Sequence, residues 1–246
     1  MGKFAVILAA AGSSSRFQDR HYKKPFAPLA ERAVWLHSAE KFLNRDDVQQ
    51  VIIVIAAEDW ATFHEKFGAN VAFLGVQVVQ GGLTRAESVR NGLAKVEPEA
   101  TWVAVHDAAR PCLATEWIDH VFAHAQKTGA AILATPVVST LKRVNSQGVI
   151  EATVSRDHLW EAQTPQVFRR DWLLEAYAQA GVETATDDAE LMQRAGHAVS
   201  VVPGSPMNLK ITTRADLRFA EQALKALPKP KLLGPVHPFE NDDLWR

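Results

Sequence analysis

Short continuous apolar runs recur along this chain, with amphipathic stretches between them. FAVILAA (4–10), VQQVIIVIAA (48–57), VAFLGVQVVQ (71–80), TWVAVHDAARP (101–111) and AAILATPVV (130–138) read as strands. WLHSAEKFL (35–43), DWATFHEKF (59–67), TRAESVRNGLAKV (84–96) and TEWIDHVFAHAQKTG (115–129) read as helices. Strands that are apolar on both sides must be covered on both faces. Their alternation with helices therefore predicts an α/β fold: a Rossmann-like, mostly parallel central sheet with helices on each face. Thr84 with Glu87, and Thr213 with Asp216, have the spacing of helix-opening capping boxes.

The rhythm changes after Thr135. STLKRVNSQGVIEATVSRDHLW (139–160) contains two polar, alternating runs around NSQG, a hairpin signal. It has too few apolar residues for a core of its own, so it is either an arm that packs on another subunit or a plain surface hairpin. RDWLLEAYAQAG (170–181) and TDDAELMQRAG (186–196) read as helices with glycine caps, AVSVVPG and NLKIT as short strands, and 213–227 as a last helix. Four prolines between 228 and 238 make 228–246 an extended tail, leaving 1–227 as the folded domain.

Net charge is −1, from 27 basic and 28 acidic residues, which argues against a nucleic-acid polymer as partner. An anionic ligand must then be met by a local cluster. The single cysteine, Cys112, cannot form an internal disulfide and fits a reducing cytoplasm. No apolar run approaches the length of a membrane helix or a signal sequence. The nine histidines show no zinc-ligand spacing.

Ala10, Ala11, Gly12, Ser14 and Arg16 follow the first strand, with Lys23 and Lys24 soon after. Small residues let backbone N–H groups approach phosphate oxygens, and arginine adds a charged fork. In a parallel sheet this loop lies at the carboxyl edge, where ligands bind. It is neither a Walker loop nor G-x-G-x-x-G, and an ordinary flexible turn would read similarly. Asp107 ends the fourth run. It is suited either to a hard cation such as Mg²⁺ or to capping the next turn with Arg110 as its ion-pair partner. His106 beside it reads as a general base or as a backbone-bonded strand-end residue.

AAAGSSSRF, KKPF, GGLTRAESVRNGL, VHDAARP, TPQVF and NLKITT, taken in this order, resemble the family of cytidylyltransferases that make 4-diphosphocytidyl-2-C-methylerythritol. The resemblance covers residues about 3–226. It implies transfer of the cytidylyl group of CTP to 2-C-methyl-D-erythritol 4-phosphate, with Mg²⁺, in the non-mevalonate isoprenoid pathway. It also implies a homodimer whose 139–158 arm reaches the partner's site. Arg16, Lys24 and Lys210 match catalytic cations, and Gly82 and Ser88 match positions around the cytosine. Asp107 matches a metal-linked aspartate. Arg110, Thr140, Arg156, Thr164 and Thr186 match groups near the second substrate. The proline after Lys24 departs from the family pattern and leaves open whether Lys23 or Lys24 meets the phosphates. Without the resemblance, Arg85 and Arg90 read as solvated, Ser88 as a surface hydroxyl, Thr186 as a helix cap, and Thr140 and Arg156 as cross-strand partners. Rival functions are a cytidylyltransferase for another polyol phosphate, such as ribitol 5-phosphate, and a non-catalytic nucleotide-sensing module.

Overall fold

The computed structural model describes residues 3–12, 17, 22–179 and 181–228. A seven-stranded sheet organises them. Strand β1 (Lys3–Ala9) runs through its middle, parallel to β4 (Val48–Ile55) on one side and β6 (Ala100–Asp107) on the other. Strand β5 (Gln77–Gln80) extends the sheet beyond β4. Beyond β6 lie β10 (Trp160–Arg169), β7 (Ala130–Pro136) and β11 (Ser200–Pro203). Only β10 runs antiparallel to its neighbours within this sheet.

The side-chain alternation of β1 explains why it is central. Phe4, Val6 and Leu8 face one layer while Ala5 and Ile7 face the other, and all are buried. The first layer contains α1 (Val34–Leu43), α2 (Trp60–Leu74) and α4 (Thr115–Thr128). The opposite face is covered by α3 (Arg85–Leu93), α5 (Arg170–Ala178) and α6 (Asp188–Arg194). A smaller cluster, including Cys112, Ile211 and Ala220, docks α7 (Arg214–Ala226) near the short hairpin β2 (Pro28–Leu29) and β3 (Arg32–Ala33). Each fully buried large aliphatic or aromatic side chain contributes about 1.5–3 kcal/mol. Both capping boxes are formed, at Thr84/Glu87 and Thr213/Asp216.

Several local expectations are corrected. Residues 71–74 continue α2 and are not a strand. Phe63, Phe67, Val71 and Leu74 recur on one helical face packed into the core, and Gly75 at φ 65° ends the helix. The strand β10 has no counterpart in the sequence reading, and a proline is rare within a central strand. Pro165, joined to Thr164 by a cis peptide, sits in a register irregularity between Ala162 and Gln166, where the ladder needs no N–H donor and proline supplies none. NLKIT forms no strand; its Ile211 N–H donates to the Ala109 carbonyl from an irregular segment. Gly196 at φ 85° does close α6, but α5 ends earlier, and Gly181 instead precedes a 3₁₀ turn, Val182–Thr184.

The expected hairpin forms as a separate two-stranded sheet, β8 (Leu141–Val144) and β9 (Ile150–Val154). Ser14, Arg16 and residues 229–246 of the tail lie outside the described residues. No described helix is long and apolar enough to cross a membrane.

Gly129 closes α4 at φ 90°, and a Cβ there would overlap the Trp172 ring. Gly129→Ala is therefore expected to destabilise the fold by about 2–4 kcal/mol, combining left-handed strain with overpacking. A chemical-denaturation midpoint unchanged from wild type would contradict this reading of the helix end.

Candidate active site

Three strand ends and two loops meet at the carboxyl edge of the sheet. Ala9 pairs in register with Asp107, so the small-residue loop after β1 lies directly beside the acidic end of β6. The start of α3 closes a second side. At Gly81 a Cβ would come within 2.8 Å of both Ala11 Cβ and Ser88 Oγ. Glycine is what allows this loop to press against the first one. The result is a cavity of about 300 Å³. Ala10, Ala11 and Gly12 form one wall, Thr84, Arg85 and Ser88 another, with Lys24, Asp107 and Lys210 projecting charge into it.

Asp107 is the electrostatic centre. Its carboxylate lies 2.8 Å from Lys210 Nζ, 3.4 Å from Arg110 Nε and 4.0 Å from Arg85 Nε. Burial alone would raise its pKa, but Lys210, Arg85 and Arg110 outweigh burial and hold it well below the usual carboxylate range. Asp107 is therefore an anion at all ordinary pH values. Its backbone is fixed from below: the Asp107 N–H donates to Thr164 Oγ1 at 3.0 Å.

His106 is spent on the same scaffold. Thr164 Oγ1, already accepting from Asp107, lies 3.0 Å from His106 Nδ1, so the hydroxyl donates to the ring. The other ring nitrogen, Nε2, then carries the proton and donates to the Arg110 carbonyl at 3.1 Å. Burial lowers the imidazole pKa to about 4, against a smaller opposing pull from Asp107. A neutral, fully buried ring with both nitrogens bonded is a structural group, not a general base.

The two adjacent lysines face different surroundings. Lys24 lines the cavity, whereas Lys23 is held by Glu58 at 2.7 Å and Asp59 at 2.8 Å. Ser88 lines the cavity and donates from Oγ to the Thr84 carbonyl at 2.8 Å. The Gly82 N–H donates to Ser88 Oγ at 3.1 Å, and the Leu83 N–H to Glu87 Oε2 at 2.6 Å. These bonds shape the loop that faces the cavity.

Other expected residues are placed elsewhere. Arg110 lies beneath Asp107 and donates from Nη1 to the Asn208 carbonyl at 2.7 Å. Thr164 is buried under the floor. Thr186 precedes the Asp187 cap of α6, and its N–H and hydroxyl both donate to Glu190 Oε2, at 2.8 and 2.9 Å. Thr140 and Arg156 sit on the exposed hairpin outside this chain's cavity, with Arg156 Nη1 bonded to the Val138 carbonyl. Cys112 is buried; burial pushes its thiol up to about 12, which suits a packing role.

Arg85 is the residue sequence reasoning missed. It is not solvated: Nη2 donates to Asp188 Oδ2 at 2.7 Å, and the Tyr177 hydroxyl donates to the other oxygen, Oδ1, at 2.5 Å. Asp188 is fully buried and its N–H donates to Gln166 Oε1 at 3.1 Å. Arg85 and Asp188 are 103 positions apart, so no local pattern announces the pair. Among the described residues no group of three or more His, Cys, Asp or Glu side chains could hold a metal ion by itself.

Known proteins resemble this chain in sequence and fold over nearly its whole length. The family model for 2-C-methyl-D-erythritol 4-phosphate cytidylyltransferase matches residues 4–226. A relative of that name from Rhodopirellula baltica is 42% identical over 231 residues, covering 89% of this chain and 94% of the relative. A crystal structure of a 4-diphosphocytidyl-2C-methyl-D-erythritol synthase superposes with a TM-score of 0.77 at 34% identity, covering 91% of this chain and 99% of the other. The Thermus thermophilus enzyme gives 0.74 at 30% identity, covering 92% of this chain and 100% of the other. The chain belongs to the 2-C-methyl-D-erythritol 4-phosphate cytidylyltransferase family.

Proposed function

We propose that the protein transfers the cytidylyl group of CTP to 2-C-methyl-D-erythritol 4-phosphate and releases pyrophosphate, a step of the non-mevalonate isoprenoid pathway. One observation carries the reading: a family match over residues 4–226 coincides with a cavity into which Lys24 and Lys210 bring positive charge beside Asp107.

The chemistry follows from charge. An oxygen of the methylerythritol phosphate attacks the α-phosphorus of CTP. The bond from that phosphorus to the bridging oxygen breaks, and its electron pair leaves with pyrophosphate. A phosphate monoester has its second pKa near about 6 and is largely dianionic at neutral pH. No base is needed to create this nucleophile, in keeping with the locked, neutral His106.

The barrier is repulsion between two anions, together with the charge growing on the leaving oxygen. Lys24 and Lys210 offset that charge from fixed positions, the kind of preorganised stabilisation that dominates such reactions. Arg16 joins them from the first loop. The backbone of Ala10, Ala11 and Gly12 lies against the phosphates. Gly82 and Ser88 border the cytosine. Arg110 and Thr164 act from below by holding Asp107.

Asp107 offers one hard carboxylate, and Mg²⁺ that is otherwise held by substrate phosphates and water needs no more. The donor set thus fits Mg²⁺ with Asp107 as its single protein ligand, where the ion would neutralise triphosphate charge.

The 139–158 hairpin completes the site in a homodimer. A two-stranded sheet is marginal alone, and this hairpin exposes Val144, Val149 and Ile150, with Val138 exposed just before it. Packed on a second copy, it would cover these side chains and bring Thr140 and Arg156 over the partner's methylerythritol phosphate. Thr186 is assigned to the same phosphate, after release from Glu190. Residues 1–227 form the catalytic unit, and 228–246 are an extension of it.

Lys24→Ala or Lys210→Ala is expected to lower kcat by a factor on the order of 100 in a folded protein. Wild-type-like pyrophosphate release from either variant removes that residue from the mechanism. Arg156→Ala is expected to raise the KM for methylerythritol phosphate more than that for CTP; equal effects would contradict the arm assignment. Because Asp107 stays ionised and His106 neutral, the acid limb of the pH–rate profile belongs to the substrate. kcat/KM for methylerythritol phosphate should fall as pH drops below about 6, with no limb from an enzyme base. A limb that moves in a His106→Asn variant would restore histidine as a base.

A further inference from the structure

The two lysines of KKPF divide the work of one turn. The side chain of Lys23 bridges Glu58 at 2.7 Å and Asp59 at 2.8 Å, both in the 3₁₀ turn that joins β4 to α2. Its main chain does something different. Lys23 is extended (φ −76°, ψ 153°), and its carbonyl accepts from the N–H groups of Phe26, at 2.9 Å, and Ala27, at 3.1 Å. One residue thus ties off the 3₁₀ turn Lys24–Phe26 by its backbone and clamps it to the α2 end by its ammonium. Pro25 stiffens the turn, and Phe26 packs on Phe63 and Phe67 of α2, with ring centroids 5.5 and 5.9 Å apart.

The clamp has an inner and an outer half. The side chains of Lys23 and Asp59 are only 26% and 14% exposed, whereas Glu58 is 68% exposed, so the Asp59 contact is the sheltered one. Burial lowers the Lys23 pKa, yet its bonds to Asp59 and Glu58 outweigh that and raise it, so the group stays charged at working pH. The same turn borders the cavity, which Lys24 and Pro25 line.

We propose that Lys23 is a positioning residue for the transfer reaction: its bridge to Glu58 and Asp59 latches the 24–26 turn to α2 and so holds the Lys24 ammonium at the cavity. The latch rests on Lys24 acting as a catalytic cation. It assigns separate roles to two adjacent identical side chains. Lys23 touches no substrate. Its loss lets the turn drift, and small displacements of a charged group are costly to a reaction that depends on fixed charge.

The test is a set of variants of the full-length protein, read by pyrophosphate release and by thermal melting. Lys23→Met keeps the stem and removes the charge; Glu58→Gln with Asp59→Asn removes the other half of the latch. Each is expected to lower kcat about fivefold with little change in melting temperature. Lys23→Arg, which still pairs with both carboxylates, should retain turnover. The decisive comparison repeats Lys23→Met in a Lys24→Ala background at raised enzyme concentration, where it should have no further effect on kcat. The same fivefold loss in both backgrounds would mean that Lys23 acts independently of Lys24 and would overturn the latch. So would a loss from Lys23→Met that the carboxylate variant does not share, or no loss from either. Wild-type turnover in Lys24→Ala is a distinct failure, which removes the catalytic assignment of Lys24 and the latch with it.

Discussion

The site is built around one buried carboxylate among three cations. Asp107 is drawn between Lys210, Arg110 and Arg85, which come from three separate parts of the chain. A charge taken out of water is tolerated only when paired, and removing one partner of a buried pair typically costs about 3–5 kcal/mol. This constraint ties the segment after β11, the loop after β6 and the start of α3 to one point. It also explains the second tier. Arg85 is itself fixed by Asp188 and Tyr177, and Asp107 by Thr164. The tier below the cavity is therefore polar and bonded, while Lys24, Arg85, Lys210 and the Asp107 carboxylate line the cavity itself.

The sheet makes this cluster possible. Parallel strands β1 and β6 end in register, so the small-residue loop and the acidic strand end arrive side by side. The antiparallel β10 enters next to β6 and delivers Thr164 and Gln166 beneath the site. Its irregularity at Thr164–Pro165 occurs where β10 joins the β6 ladder, and Thr164 leaves the ladder there to bond the Asp107 backbone. The hairpin carrying Thr140 and Arg156 stands apart from this sheet, with apolar side chains exposed.

Much of this was legible because it is local. The apolar runs of β1, β4, β6 and β7, the Thr84 and Thr213 capping boxes and the NSQG hairpin are all short-range patterns. Errors arose where a tertiary contact overrode a local signal. VAFL reads as a strand but continues α2, because its apolar residues fall on the helical face packed on the core. TPQVF carries no element in the sequence reading, yet it lies in β10, with Pro165 at an unpaired position. Among residues that line the cavity, Lys24 and Asp107 stand out by their place at or after the ends of buried strands and Lys210 by motif resemblance, whereas Arg85 reads as solvated.

By itself the sequence determined the alternation of buried strands with helices, the small-residue loop after the first strand, and the family to which these motifs belong. Those properties depend on periodicity and on steric freedom at neighbouring positions. Only the tertiary structure decided which charges meet: Arg85 with Asp188 across 103 positions, Lys210 with Asp107, and Lys23 rather than Lys24 with Glu58 and Asp59. The reason is that a charge is screened in an open chain and acts strongly only where folding removes water around it, so its partner is chosen by burial and not by distance along the chain.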